Sequence, residues 1–159
     1  MLSLLLAAQM AGATEIAVSP LTAVLMGDLV YGADTCWTPV GGSIAALPRY
    51  GCYAAPNYIP LTPMIPGRWL DAVTICYLTD VSAPNYLGLR FEIIESVGAG
   101  TDVTLWSDGL WRTANPGVCE VIPVGVSPSG TPVLYIEPSM DVFSGDSVTI
   151  GQIWMTVSK

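Results

Sequence analysis

The sequence predicts an all-β protein: an antiparallel β-sandwich of two sheets, jelly-roll-like, with a long proline-rich loop clamped by a disulfide. Three observations predict it. From residue 70 onward, segments with period-2 alternation of apolar and polar side chains dominate the chain. Clusters of turn-forming residues separate these segments, and no stretch with the 3.6-residue period of a helix lies between them. Residues 15–159 are expected to form a single domain.

Residues 1–14 form a separate segment. Leu2–Ala8 is a short apolar run, and Ala11–Ala13 follows it with the small residues of a signal-peptide cleavage site, but no basic residue precedes the run. The segment is therefore interpreted either as a cleaved signal peptide or as an apolar assembly segment that the mature protein keeps. No membrane span is expected, because Glu15 and Pro20 interrupt the stretch before the roughly 20 apolar residues that a transmembrane helix needs.

The strand predictions rest on β-branched and aromatic residues in alternation. The last strand is apolar on both faces, with Ile150 and Trp154 on one side and Ile153 and Met155 on the other. A strand of this kind is central and covered on both sides, by the protein itself or by a neighbouring subunit, and Gly151 predicts a bulge in it. The predicted strands are 15–26, 70–78, 86–95, 101–106, 117–124, 132–137 and 148–157.

Residues 38–68 differ from the rest of the chain, because prolines and glycines punctuate them. Proline has no backbone N–H to donate to a ladder, so the segment is predicted to be a long ordered loop, partly extended. Ordered loops of this length often carry function.

The four cysteines predict two disulfides, because the count is even in a chain that is expected to be exported. Three pairings are open, and the one with the shortest loops joins Cys36 to Cys52 and Cys76 to Cys119. One alternative is a zinc site with four thiolate ligands, although such sites usually contain close CxxC pairs, which are missing here. The other is a set of free cysteines in a cytosolic protein.

The composition limits the partners. Charged residues are 11% of the chain and hydrophobic residues 52%, whereas ordinary globular domains carry about 25% charged residues. A surface so poor in charge favours burial against other subunits, so a homo-oligomer or homopolymer is expected. The net charge of −8 disfavours binding to nucleic acid and to anionic lipid.

Several classes of enzyme are excluded by missing residues. The chain contains no histidine, and Lys159 is its only lysine. Histidine-based triads, histidine-ligated metals and buried lysine nucleophiles therefore have no candidates. Glycine-rich nucleotide-binding motifs are also missing. We expect a protein that is not an enzyme and that needs no cofactor.

Carboxylates are the remaining catalytic groups. A glycosidase needs two of them, roughly 5 to 10 Å apart. Glu92 and Glu95 lie at odd spacing on a predicted strand and point to opposite faces, so they are not a natural pair. The pairs that would meet across strands are Asp102 with Asp108 and Glu120 with Glu137.

A structural Ca²⁺ is the one metal that the sequence offers. Aspartates in glycine- and serine-rich turns supply oxygen ligands without crowding. The alternative is that they serve only as turn residues. The candidate ligands are Asp102, Asp108, Asp141 and Asp146.

Aromatic residues gather in and beside the proline-rich segment. They have three interpretations: they hold the loop on the sandwich, they anchor a subunit interface, or they form a platform for a glycan or another ligand. Trp106, Trp111 and Trp154 are assigned to the core or its rim. The platform candidates are Trp37, Tyr50, Tyr53, Tyr58 and Trp69.

Two functional hypotheses follow, both for a secreted or cell-surface protein. The first is a non-enzymatic structural protein, a self-assembling subunit of a fibre, sheath or surface layer. The observations that favour it are the low charge, the last strand with two apolar faces, and an N-terminal segment that a neighbouring subunit would accept as an added strand. The alternative is a carbohydrate- or ligand-binding module that uses the aromatic side chains.

Overall fold

The structure of the chain, a computed structural model, describes residues 12–21, 36–46, 56–65, 67–81, 87–96, 101–141 and 145–159. The regular elements with described bounds are strands, and all their pairings are antiparallel. These strands are β1 (Thr14–Val18), β2 (Trp37–Val40), β3 (Ser43–Ala46), β4 (Asn57–Pro60), β5 (Trp69–Asp80), β6 (Gly88–Ser96), β7 (Asp102–Ser107), β8 (Ala114–Val126), β9 (Pro132–Ser139) and β10 (Ser147–Ser158).

Two sheets face each other across one core. The six-stranded sheet has the order β2-β3-β10-β5-β8, with β1 beside β10, and the four-stranded sheet has the order β4-β9-β6-β7. Side chains from both sheets meet between them, as Tyr77 and Phe91 do with ring centroids 5.2 Å apart. The predicted antiparallel sandwich is therefore confirmed.

The strand order has a nested pattern. β6 pairs with β7, β5 with β8, β4 with β9 and β3 with β10, so the chain is one long antiparallel ribbon folded on itself. Two further pairings connect strand pairs of the folded ribbon: β5 with β10 completes the six-stranded sheet, and β6 with β9 completes the four-stranded sheet. This order is compatible with the predicted jelly-roll type.

The bulge predicted at Gly151 is present and changes the expected phase of β10. The register of β10 against β5 shifts between Ile150 and Ile153. A bulge inserts an extra residue, so the side chains before and after it reach the same face although their spacing is odd. Ile150, Ile153 and Met155 consequently all lie in the core, whereas Trp154 lies on the outer face.

β10 is central, as predicted, but it is not apolar on both faces. Ile150, Ile153 and Met155, which were expected on opposite sides, share one buried face, and Trp154 is half-buried on the other. The apolar face of the strand is therefore covered by the second sheet of the same chain.

The proline-rich segment differs from the expected loop, because it contains β2, β3 and β4. Pro39 lies in β2 and Pro60 in β4, and these are edge strands of their sheets. An edge strand leaves one row of backbone groups unpaired, so a proline there need not remove a ladder hydrogen bond. Residues 47–55 of this segment lie outside the described ranges.

The N-terminal predictions are covered only in part. β1 ends at Val18, just before Pro20, and it pairs with β10 of its own chain. Residues 1–11, which carry the signal-peptide and assembly-segment interpretations, lie outside the described residues. Within the described ranges, no helix is long and apolar enough to cross a membrane.

Candidate functional site

The outer face of the four-stranded sheet combines aromatic and charged side chains. On β6, Leu89, Phe91 and Ile93 are buried, so Arg90 and Glu92 between them point outward, as the alternation predicts. Strand β9 alternates in the same way: Leu134 and Ile136 are buried, whereas Tyr135 and Glu137 are half-buried on the outer face.

One cross-strand row runs over all four strands of this sheet. Tyr58 of β4 lies opposite Tyr135 of β9, Tyr135 lies opposite Glu92 of β6, and Glu92 lies opposite Ser107 of β7. The two tyrosine rings meet edge to face with centroids 5.3 Å apart. Aromatic and acidic side chains thus stand side by side on a continuous, partly exposed surface.

Arg90 lies in the next row and holds two carboxylates. It is opposite Glu137 and forms an ion pair with it, and the same Nη2 atom lies 3.6 Å from Oε1 of Glu92. The guanidinium also lies over the ring of Trp111, 5.3 Å from the ring centroid. Nε of Arg90 is buried and has no hydrogen-bond partner among the described residues. The cluster carries two negative charges and one positive charge.

The side chain of Tyr135 places a hydroxyl group at the centre of this face. Burial and, to a smaller extent, the negative charge of Glu137 raise its pKa to about 12. The hydroxyl therefore remains protonated at any physiological pH and is available as a hydrogen-bond donor as well as an acceptor.

A second charged cluster is structural. Arg112, between β7 and β8, donates hydrogen bonds to Asp108 and Glu120 and lies over the ring of Phe91 at 4.9 Å. Tyr77 donates to the same Glu120 at 2.5 Å. The hydrogen bond from Arg112 holds the pKa of Glu120 below its usual range, in spite of partial burial. The charged and polar groups of this cluster are hydrogen-bonded to one another, so the cluster connects the edges of the two sheets.

The predicted aromatic platform is not one surface. Trp37 is 3% exposed and belongs to the core, and Trp69 is 47% exposed at the start of β5, in the six-stranded sheet. Of the three candidates that the structure describes, only Tyr58 lies on the face described above. Tyr50 and Tyr53 lie outside the described residues. The prediction grouped these residues by sequence proximity, whereas β2, β4 and β5 alternate between the two sheets.

One predicted disulfide is present. Cys76 and Cys119 lie directly opposite each other on β5 and β8 and are bonded, on the outer face of the six-stranded sheet. Cys36 is also disulfide-bonded. Cys52 lies outside the described residues.

The structure separates the predicted acidic groups. Asp102 begins β7, Asp108 follows its end and pairs with Arg112, and Asp146 accepts a hydrogen bond from the backbone N–H of Asp141 between β9 and β10. Among the described residues, no three side chains of the metal-ligating types gather in one place. A structural Ca²⁺ stays a prediction without a located site.

The expected carboxylate pairs also do not form. Glu120 lies with Arg112 and Glu137 with Arg90, in different sheets. Glu92 and Glu95 do point to opposite faces, as predicted. Glu95 is buried, and it accepts hydrogen bonds from Ser129 and from the backbone of Gly130.

The sequence analysis missed Arg90 and Tyr135 as site residues, and it paired Glu137 with Glu120, whereas Glu137 lies beside Arg90. Period-2 alternation does show that each points outward. It does not show that β6 and β9 are neighbours or which residues lie opposite each other, because a register is set by pairing at a distance along the chain.

Comparisons with known proteins add little to this description. No protein-family model matches the chain, and no curated protein is similar to it. Among solved structures, the chain is similar to one titled "Crystal Structure Analysis of the K2 Cleaved Adhesin Domain of Lys-gingipain", with 16% sequence identity and a TM-score of 0.39 over 91% of this chain and 90% of that one. A likeness at this level assigns neither a ligand nor a partner.

Proposed function

We propose that the chain is a non-enzymatic extracellular module that binds neutral carbohydrate on the outer face of the four-stranded sheet. The observation that carries the proposal is the row of Tyr58, Tyr135, Glu92 and Ser107 across four paired strands. Aromatic rings contact the apolar faces of sugar rings, and carboxylates accept hydrogen bonds from sugar hydroxyls. A flat face with both kinds of group fits a ring-shaped amphipathic ligand.

The charge of the face favours a neutral ligand. Arg90 offsets only one of the two charges of Glu92 and Glu137, and the chain as a whole carries −8. A uronate or sulfated sugar would therefore meet a repulsive potential. A neutral sugar meets acceptors on the two carboxylates and a donor on Tyr135.

Binding rather than hydrolysis is favoured by the position of Arg90. Its Nη2 lies within 3.6 Å of both carboxylates, so the two acids are close enough for glycoside hydrolysis. The guanidinium of Arg90 forms an ion pair with each of them, so it occupies the space between the two acids in which a glycosidase would hold the scissile bond.

An extracellular location is supported by the cysteines. Stable disulfides form in oxidising compartments and are rare in the cytosol. In the described part of the chain, Cys36, Cys76 and Cys119 are all disulfide-bonded.

The test is binding of soluble neutral polysaccharides (a glucan, a xylan and a mannan) and of an anionic polyuronate, measured by affinity electrophoresis and calorimetry. At least one neutral polymer should bind, and Tyr135→Ala should weaken it at least tenfold, whereas Tyr135→Phe should keep the part of the affinity that the ring contributes. Trp69→Ala is the control, because this exposed aromatic residue lies in the other sheet. Equal loss in both alanine variants would contradict the proposed face, and release of reducing ends would contradict the non-enzymatic part.

Self-assembly into a fibre, sheath or surface layer is the second candidate. The observation that favours it is the outer face of the six-stranded sheet, where the described residues at the centre carry no charge, together with the low charge of the whole chain. Electron microscopy of the oxidised protein should then show filaments, tubes or sheets. A uniform particle of one or two chains in solution and in images would contradict it.

A further inference from the structure

In the part of the chain that the structure describes, the outer face of the six-stranded sheet carries no charge across its centre. One cross-strand row contains Ala17, Trp154, Thr74 and Val121, from β1, β10, β5 and β8. A second row contains Thr38, Ala45, Thr149 and Leu78, from β2, β3, β10 and β5.

Exposed apolar residues lie around the margin of this face. Val121 is 64% exposed on β8, Val40 is 54% exposed on β2 and Trp69 is 47% exposed at the start of β5. Between them stand threonine, alanine, leucine and tryptophan side chains and the Cys76–Cys119 disulfide. A surface of this composition packs well against an apolar surface of similar shape.

The charges of these strands lie at the margin or at the edge of the core. Glu15 lies near the start of β1, and Asp71 and Asp80 lie at the two ends of β5. Glu120 is held by Arg112 and Tyr77. The marginal charges within these strands are negative, and Arg68 and Lys159 lie just outside the ends of β5 and β10. A partner that covers the centre of the face leaves all of these charges in water at the rim.

We infer that two copies of this chain dock through the outer faces of their six-stranded sheets. The size of the face fits such a contact: strands about 4.8 Å apart, with central strands of 12 residues, cover roughly 700 to 800 Å² per copy. A stable interface buries about 800 Å² per partner. Stacked sheets pack about 10 Å apart, which side chains of threonine, valine and leucine fill.

Electrostatic repulsion between two copies is weaker at this face than at the outer face of the four-stranded sheet. Each chain carries −8, so two copies repel each other wherever carboxylates face carboxylates. The outer face of the four-stranded sheet, with Glu92 and Glu137, would bring that repulsion into the contact. The uncharged face avoids it, and added salt should strengthen the dimer by screening the remaining repulsion.

The dimer has a consequence for binding, and this consequence rests on the proposed function. Docking through the six-stranded sheets leaves the two four-stranded sheets on opposite outer surfaces. The dimer would then present two carbohydrate sites that face away from each other. Such a molecule binds a polysaccharide with avidity or cross-links two chains of it, whereas a monomer does neither.

The test compares Val121→Lys with Val103→Lys by sedimentation equilibrium, from about 1 µM to about 1 mM protein. Val103 is a matched control, since it is 42% exposed on the edge strand β7 of the other sheet. The wild type and Val103→Lys should form dimers of the 16.7 kDa chain, and more so at high salt, whereas Val121→Lys should remain monomeric and should have the thermal midpoint that the wild type shows at about 1 µM, where dimers contribute least to stability. A wild type that is monomeric throughout, or an oligomer that Val121→Lys does not dissociate, would overturn the inference.

The same variants separate this inference from the proposed function. If Val121→Lys binds a neutral polysaccharide as a monomer but no longer cross-links it, both stand. A dimer that binds none of the polysaccharides contradicts only the proposed function. A wild-type monomer that binds one of them contradicts only the docking of two copies.

Discussion

The outer faces of the two sheets have the same backbone architecture and opposite chemistry. The face of the four-stranded sheet holds Arg90, Glu92 and Glu137 among aromatic rings. The face of the six-stranded sheet is uncharged at its centre and carries the Cys76–Cys119 disulfide. One face is suited to a polar, ring-shaped ligand, and the other is suited to an apolar partner.

The difference lies in where the chain places its few charges. Charged residues are 11% of the sequence, and those in the middle of the strands are concentrated on one face or paired at the sandwich edge. A uniform distribution would have made both faces weakly polar. The uneven distribution is what the proposed binding face and the proposed docking face both depend on.

The largest expected effect comes from a substitution that disturbs the backbone contact between the two sheets, on which both outer faces depend. Gly88 has a φ of +91°, and a Cβ there would lie 2.7 Å from the carbonyl carbon of Arg112. Gly88→Ala should cost about 4 kcal/mol or more in the free energy of unfolding, because the clash is with backbone that cannot move aside. Gly109→Ala is the control: its φ is +67° but a Cβ would meet nothing within 4 Å, so about 1 kcal/mol is expected. Denaturant unfolding measures both, and similar costs would show that the contact with Arg112 is not tight.

Removal of the disulfide is expected to have the next largest effect, and it acts on the six-stranded sheet. Cys76 and Cys119 close a loop with a sequence separation of 43, for which chain entropy gives about 4 kcal/mol. The double variant Cys76→Ser and Cys119→Ser should lose about 3 to 4 kcal/mol of stability without leaving a cavity, because the bond lies on an outer face. Hydrogen exchange should show the loss of protection first in β8, an edge strand. Loss that begins in β6 or β9 would contradict this assignment to one sheet.

Most of the fold could be predicted from the sequence, because alternation and turn residues are local signals. Each predicted strand from residue 70 onward corresponds to a strand of the structure, from β5 to β10. The local signal failed where proline was taken to exclude strands. Pro39 and Pro60 lie in edge strands, and whether a strand is an edge depends on the whole sheet.

The candidate site could not be predicted to the same extent. Tyr135 and Glu92 are opposite each other although they are far apart in sequence, and nothing local specifies that pairing. The grouping of Trp37 with Tyr58 failed for the same reason, because neighbours in sequence alternate between the two sheets. The local sequence shows which side chains of a strand point the same way, but it does not show which strands contribute to the same face.

The bulge in β10 allows the inner and outer faces of one strand to be compared directly. Ile150 is fully buried, and Trp154 is on the outer face, half-buried. Ile150→Ala should cost about 3 kcal/mol of stability through the cavity it leaves, whereas Trp154→Ala should cost about 1 kcal/mol. Without the bulge, the two residues would share a face and their costs would be alike. Equal losses in denaturant unfolding would therefore contradict the register shift at Gly151.

The smallest expected effect concerns acid and the cluster at the edge of the six-stranded sheet. Arg112 lowers the pKa of Glu120, first through a hydrogen bond, and it lowers the pKa of Asp108 although burial opposes this. A carboxylate with a lower pKa in the folded state stabilises the protein fully above its unfolded pKa, and this contribution is lost as the pH falls through the folded-state value. The thermal midpoint should therefore fall by a few degrees below about pH 4.

Two variants assign this loss to the cluster. Glu120→Gln removes a titrating group that Arg112 holds, so its thermal midpoint should start lower at pH 7 and decline less below about pH 4 than that of the wild type. Glu15→Gln changes an exposed acid at the margin of the same sheet and should follow the wild-type curve. If Glu15→Gln flattens the acid limb as much as Glu120→Gln does, the loss reflects the net charge of the chain. If only Glu120→Gln flattens it, then acid destabilises the protein by removing the ion pairs that join the two sheets. Both outer faces depend on that contact, so acid should affect them together.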